Sequence, residues 1–313
     1  MKRIFAFVAL AIPAILAGQA VPQSAQRAPV IDMHLHAMPA DMFGPPGQPN
    51  PATGKPSSAV TDEEIMRQSL RVLRKYNVVR AATSGSLERV ARWKAAMPER
   101  IIPALSILNM AKDVDIARLR NEVQAGRLAV FGEIGAQYEG RHLGEEVYEP
   151  LLALAEELDV PVALHTGFGP PGVSYGPSPS FRARLGNPLL IEDALVRHPK
   201  LRIYLMHSGY PFLSETIALL HAHPQVYADL GIIDWGLKPD DFYAYLQALV
   251  RHQECHIEKR LMFGSDQMIW PEAIGAAIER IEAAPFLTAA QKRDILCNNA
   301  ARFLRLDAEK VCR

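Results

Sequence analysis

Eight short apolar runs, each followed by a stretch with helical spacing, constrain this 313-residue chain more than any other feature. The runs fall at residues 28–34, 78–83, 101–108, 128–134, 161–165, 202–207, 226–230 and 261–265. Each is close to continuously apolar, as a strand buried on both faces must be. Helical patterns lie between them at about 61–76, 87–97, 114–124, 145–158, 189–198, 213–221 and 240–252, and two more close the chain near 271–283 and 289–304. Thr61 ahead of Asp62-Glu63-Glu64 reads as a helix cap. Strand and helix alternating eight times predict a parallel sheet, and the count predicts an α/β single-domain (β/α)8 TIM barrel over residues 28–313. The alternative is a doubly wound open sheet. That fold more often carries a glycine-rich phosphate turn after its first strand, whereas here the first strand runs into histidines.

The amino-terminal segment is set apart from this pattern. Met1-Lys2-Arg3 is a short positive stretch, and Ile4 to Ala17 is apolar but too short to span a bilayer comfortably. Gly18-Gln19-Ala20 supplies small residues at the positions a signal peptidase reads. The expectation is a cleaved signal peptide over 1–20, a polar linker over 21–27, and export to a bacterial periplasm or beyond. Residue 19 is Gln rather than Cys, which argues against a lipid anchor. The 49% hydrophobic content allows a sizeable core, and 22% charged residues argue against a disordered chain. Formal charge is zero, so there is no basic excess for a nucleic acid or an anionic membrane. The expected partner is a small molecule, with no nucleic acid and no membrane anchor; a homo-oligomer is left open. Cys255, Cys297 and Cys312 have no metal-ligand spacing. One disulfide would suit an exported chain, and the first pairing considered is Cys255 with Cys312, with Cys297 packed inside a helix.

The ends of the strands carry the chemistry. Asp32-Met33-His34-Leu35-His36 closes the first run, and strict alternation would aim Asp32, His34 and His36 the same way. The fourth run ends in Gly132-Glu133-Ile134-Gly135, the fifth in His165, the sixth in His207 and the eighth in Asp266. Active sites of such barrels lie at the carboxyl ends of the strands. Four of the ten histidines fall at these ends. The other six, at 142, 198, 221, 223, 252 and 256, fall in helices or surface turns and read as structural or solvent-facing. Imidazole and carboxylate ligands suit a divalent ion of borderline softness, zinc first, with manganese or iron as alternatives. An open coordination position would activate a water, and a neighbouring carboxylate such as Asp266 could take its proton.

This pattern of Asp32-x-His34-x-His36, His165, His207 and Asp266 resembles the metal-dependent amidohydrolase superfamily. Tyr204-Leu-Met-His-Ser-Gly-Tyr-Pro211, Arg260-Leu-Met-Phe-Gly-Ser-Asp266 and Asn299-Ala-Ala-Arg-Phe-Leu304 resemble its amidohydrolase 2 branch, which is related to non-oxidative aromatic acid decarboxylases. The resemblance covers nearly all of residues 28–306. It implies that His34, His36, His165 and Asp266 are metal ligands. His207 matches a strand-six histidine that binds a second metal in some members and works as an acid/base or orients the attacking water in others. Glu133 stands where the superfamily often has a metal-bridging lysine or glutamate, so one ion is the first reading and two bridged by Glu133 the second. A buried carboxylate paired with a basic residue is the other reading of Glu133. Asp32 would lie deeper, either orienting a ligand or forming a strand-end salt bridge.

Two long loops, 39–60 and 167–187, would lie at the barrel mouth and shape the substrate pocket. Tyr175 and Trp270 are expected there, with Arg182 or Arg184 holding a carboxylate. The first functional expectation is an exported metal-dependent hydrolase that uses a metal-activated water on an ester, lactone or amide of a small molecule. Asp266 would take the proton and His207 would stabilise the oxyanion. The second is a metal-dependent non-oxidative decarboxylase of an aromatic or enoic acid, against which Glu133 tilts. The third is a binding protein without catalysis.

Overall fold

The computed structural model describes residues 27–313; the expected signal peptide and all but the last residue of the linker lie outside the described residues. All eight apolar runs form strands: β1 Val30–His36, β2 Val78–Gly85, β3 Ile101–Ile107, β4 Val130–Ile134, β5 Val162–His165, β6 Ile203–Met206, β7 Val226–Asp229 and β8 Leu261–Met262. They pair in sequence order and in parallel. The ring closes where β8 runs out beside β1. The Met33 N–H donates to the Phe263 carbonyl at 2.9 Å, and the Asp266 N–H donates to the His34 carbonyl at 2.6 Å.

Helices cover the outside, among them Asp62–Lys75, Leu87–Ala96, Ile116–Gln124, Glu149–Glu157, Leu213–Ala222, Pro239–Val250 and Glu272–Glu282. Thr61 caps the first as the sequence suggests, accepting the Glu64 N–H. The closing stretch near 289–304 is not one regular helix. It runs Ala289–Arg293, a π turn Asp294–Asn298, then Asn299–Phe303. The Ile295 carbonyl accepts the Phe263 N–H at 2.8 Å, so this turn ties directly to the strand edge. Among the described residues no helix is long and apolar enough to cross a membrane.

Two apolar layers result. Ile31, Met33, Ala82, Ala104, Val130 and Ala163 belong to an inner cluster with Tyr204, Met206 and Met262. Ala300, Ala301 and Phe303 join it from the helix Asn299–Phe303 and plug the amino-terminal end. A larger cluster fills the space between strands and outer helices. Strict alternation along β1 is not kept, because its pairing with β2 slips between Asp32 and Leu35. Ile31 and Met33 therefore face the inner cluster, while Asp32 turns to backbone partners instead of joining the histidines.

The cysteine pairing differs from the expected one. Cys297 bonds to Cys312, with their Cα atoms 5.8 Å apart, and Cys255 is free. The short helix Ala308–Val311 folds back under the plug and delivers Cys312 to Cys297. Cys255 lies instead beside His221, its sulfur 2.6 Å from Nδ1. Closing a 15-residue loop restricts the unfolded chain by about 3 kcal/mol. Cys312→Ser should lower the unfolding free energy by about that amount in urea titrations. The unsubstituted protein should match it once a reductant is added; equal stability under oxidising conditions would contradict this.

Candidate metal centre

Six side chains meet at the carboxyl end of the barrel. His34 and His36 come from β1, Glu133 from β4, His165 from β5, His207 from the turn after β6 and Asp266 from the segment after β8. The Nε2 atoms of His34 and His36 lie 3.1 Å apart. Asp266 Oδ1 is 3.0 Å from His36 Nε2 and 3.6 Å from His34 Nε2. Glu133 bridges the group: Oε2 is 3.4 Å from His36 Nε2 and Oε1 is 3.7 Å from His165 Nε2. The His207 ring lies 4.7 Å from that of His165 and 5.1 Å from that of His34, centroid to centroid. All six are buried. His34, His36 and Asp266 form one set with ligand atoms within 4.8 Å of each other, and His34, Glu133 and His207 form another.

The far nitrogens are fixed by partners behind the cluster. His34 Nδ1 faces Asp229 Oδ2 at 3.2 Å, and His207 Nδ1 donates to the Gly231 carbonyl at 2.9 Å. The Gly231 carbonyl puts the His207 proton on Nδ1 and leaves its Nε2 lone pair for the site, and the Asp229 carboxylate stands against His34 Nδ1, where it favours a proton on that nitrogen. His36 Nδ1 meets Ser84 Oγ at 3.1 Å. Asp229 is the hub of this layer: its Oδ1 accepts the N–H of His207 at 3.0 Å and of Gly231 at 2.9 Å. The layer is packed so tightly that a Cβ on Gly231 would lie 2.6 Å from His34 Nδ1. Asp32 accepts the N–H groups of His34 and Ser265 at 3.0 and 2.9 Å, and burial pushes its carboxyl up to about 6. His207 and Asp266 both adopt left-handed backbone, φ 61° and 43°. Such conformations cost roughly 1–3 kcal/mol each and persist where the surroundings over-determine them.

The electrostatics fit a bound cation. Imidazole nitrogens and carboxylate oxygens converge on one small buried volume, which is unfavourable without a positive charge among them. His34 supplies that charge as a proton when no metal is bound. Burial opposes its ionisation, but the carboxylates of Asp266, Asp229 and Glu133 outweigh burial and raise it to about 10. Burial would likewise raise Asp266, yet His34, His36 and His207 hold it well below the usual carboxylate range. Burial and then the charge of His207 push His165 far down, so it stays a neutral ligand. Two donor triads, His34/His36/Asp266 and His34/Glu133/His207, could each hold a divalent ion, while His165 stands beside Glu133 and belongs to neither.

The loop residues expected at the pocket are placed differently. Arg182 is exposed and donates to the carbonyls of Pro179 and Phe181 in its own loop, at 2.8 and 2.7 Å. Arg184 is exposed, and Tyr175 is 96% exposed. Trp270 is buried; its indole N–H donates to the Gln48 carbonyl at 2.9 Å and its ring stacks on Phe43, pinning the 39–60 loop to the barrel.

Two participants were missed in the sequence. Asp229 is the last residue of β7, one short of the end of the apolar run 226–230, and its carboxylate sits in no ligand motif. Tyr138 follows β4 in the turn Ala136–Glu139, and its hydroxyl lies 3.3 Å from His165 Nε2. Burial first, then the charges of Glu133 and Asp266, raise its pKa, so it remains a proton-bearing donor.

Residues 31–306 match the family model described as Amidohydrolase, of the amidohydrolase 2 branch. Among curated proteins, Protein fluG of Emericella nidulans is 28% identical over 117 residues, 37% of this chain but only 12% of that protein's length. Many solved structures share the fold, three of them as follows. An uncharacterized TIM-barrel protein from Bordetella bronchiseptica aligns with a TM-score of 0.69 at 18% identity, over 88% of this chain and 98% of that one. A probable 2-pyrone-4,6-dicarboxylic acid hydrolase from Acinetobacter baumannii aligns at 0.62 and 14%, over 88% and 99%. The 5-carboxyvanillate decarboxylase of Sphingomonas paucimobilis aligns at 0.60 and 16%, over 90% and 100%.

Two outcomes are expected. Asp229→Asn would present an amide N–H to His34 Nδ1 and force the proton onto Nε2, so metal affinity should fall about 10- to 100-fold in competition titrations while the fold is kept. Because metal must displace the His34 proton, which binds with a pKa near 10, loading at pH 7 should release about one proton per ion. Uptake should therefore strengthen as pH rises toward 10 and weaken below neutrality. Calorimetry in buffers of different ionisation enthalpy reads this directly; loading without proton release would contradict it.

Proposed function

The chain belongs to the amidohydrolase family, and from that premise we propose that it is a metal-dependent hydrolase of an ester, lactone or amide bond in a small molecule. The observation that carries this reading is Glu133, whose two oxygens face His36 and His165 at the end of β4. A carboxylate there adds negative charge to the donor set, which suits generation of a nucleophile better than capture of a second carboxylate from a substrate. Zinc is the first choice of ion, with manganese or iron as alternatives.

A divalent ion in this donor set would polarise a carbonyl and lower the pKa of water. Asp266, ionised at any working pH, accepts the proton of the attacking water. His207 keeps its Nδ1 proton on the Gly231 carbonyl, so its Nε2 has no proton with which to stabilise an oxyanion as first expected; it would instead take the water proton from Asp266 at Nε2 and pass it to the leaving group. His165 Nε2 would hold the ion, and the Tyr138 hydroxyl, 3.3 Å from that nitrogen, would then be free to donate to the oxygen that gains charge. The Cys297–Cys312 disulfide, together with the signal-like leader, supports export to an oxidising compartment, periplasmic or extracellular.

The decarboxylase neighbours keep a carboxy-lyase of an aromatic or enoic acid as the second reading. Metal analysis of the purified protein, then a screen of esters, lactones, amides and aromatic acids, separates the two. Hydrolysis with consumption of water is expected; release of CO2 without it would replace the first reading by the second. His165→Ala and Asp266→Ala should each lose bound metal and at least 100-fold in kcat with an unchanged circular-dichroism spectrum. Full activity of a metal-free preparation would overturn both readings.

A further inference from the structure

The donor cluster is walled on one side and open on the other. On the side of β4 to β6, Tyr138 packs on His165 and Phe181, with ring centroids 5.1 Å apart in both pairs, and Phe168 lies 6.4 Å from His207. On the side of β1 to β3, a cleft of about 780 Å³ runs outward from His36 and Ser84. That size suits a molecule well beyond the reacting group alone. Met42 and Leu108 line it and are 41% and 39% exposed, a cost in apolar surface that a bound ligand would relieve.

The charged residues around this cleft are not equivalent. Asp113 Oδ2 accepts the N–H groups of Leu108 and Asn109, Asp115 caps a helix through the Arg118 N–H, and Glu88 faces Arg92. Arg89 is paired with Asp62. Lys112 and Arg118 also line the cleft, and neither side chain has a hydrogen bond or ion pair among the described residues. Asp113 and Asp115 keep their charge but turn an oxygen to backbone donors, Glu88 is exposed beside Arg92, and the heads of Lys112 and Arg118 have no such partner among the described residues.

We propose that this cleft holds the non-reacting arm of the substrate, and that the arm is an apolar acyl or aryl chain ending in an anionic group that meets Lys112 and Arg118. The reacting bond then lies at His36 and the substrate enters over β2 and β3, away from the 167–187 loop. The identity of the reacting bond rests on the hydrolase reading; the cleft does not.

The test compares the metal-loaded protein with the Lys112→Ala/Arg118→Ala variant, whose changes are at exposed positions. The substrates are a 4-nitrophenyl monoester of an eight-carbon dicarboxylic acid and the neutral ester of the matching monocarboxylic acid. The unsubstituted protein should prefer the anionic ester by about tenfold in kcat/KM, and the variant should lose that preference through KM, with kcat and metal content unchanged. A preference that survives in the variant, or none to begin with, would overturn the proposal. Binding of 1-octanesulfonate, followed by calorimetry, gives a readout without chemistry. It should weaken about tenfold in the variant. If neither ester is hydrolysed but sulfonate binding still depends on these two residues, the cleft assignment stands and the ester form of the hydrolase reading falls. Equal sulfonate binding by both proteins overturns the cleft.

Discussion

One oxygen of Asp32 accepts two backbone N–H groups, from His34 on β1 and from Ser265 just beyond β8. Those two segments are the seam where the sheet closes on itself. The carboxylate therefore fastens the ring and, by the same bonds, sets the backbone of the first ligand strand against the segment that carries Asp266. Gln267 repeats the arrangement one step further out, accepting the His36 N–H at 2.8 Å and donating to the His36 carbonyl at 2.6 Å. Closure of the barrel and aim of the ligands are thus one structural event. A seam made of backbone bonds alone would leave β1 free to slide, and a slide of one residue would turn the histidines to the other face.

The charge balance follows from that geometry. Asp32, Glu133, Asp229 and Asp266 are all buried within the same end of the barrel. Asp234 lies nearby with neither oxygen hydrogen-bonded, and burial followed by the charges of Asp32, Asp229 and Asp266 drives its pKa far up. Such a concentration of acids is expensive in a protein interior unless positive charge is supplied. The imidazolium of His34 supplies one charge, and a divalent ion would supply two. The site is therefore poised between a protonated form and a metal-bound form, and the strained backbone at His207 and Asp266 is held by the packed layer behind it.

The barrel and its donors were legible because both depend on local signals. A buried parallel strand must be apolar throughout, and a ligand at its carboxyl end must break that run, so His34, His36, Glu133, His165, His207 and Asp266 stand out against their neighbours. Asp229 breaks its run in the same way, but it serves the site through His34 and belongs to no ligand motif. Tyr138 could not be found, since a tyrosine in a turn carries no signal of direction. The irregular pairing of β1 also overrode strict alternation at Asp32. Loop side chains were the least legible: Trp270 and Arg182 are occupied by carbonyls of nearby loops, a contact that only the folded chain defines. The cysteines failed for a similar reason, because the fold-back of the last helix is a tertiary event.

The closed aromatic side and the open side meet at β1, whose His34 and His36 face the donor cluster while the cleft runs outward from His36. Strands β2 and β3 give no side chain to the donor set beyond the Ser84 support of His36. The loops that follow them can accordingly lengthen, shorten or change polarity without moving a ligand. The cost of altering which molecule is recognised is then decoupled from the cost of keeping the chemistry intact. In mechanical terms, the candidate donors are braced by the packed layer behind them, while the β2–β3 rim carries none of that bracing beyond Ser84.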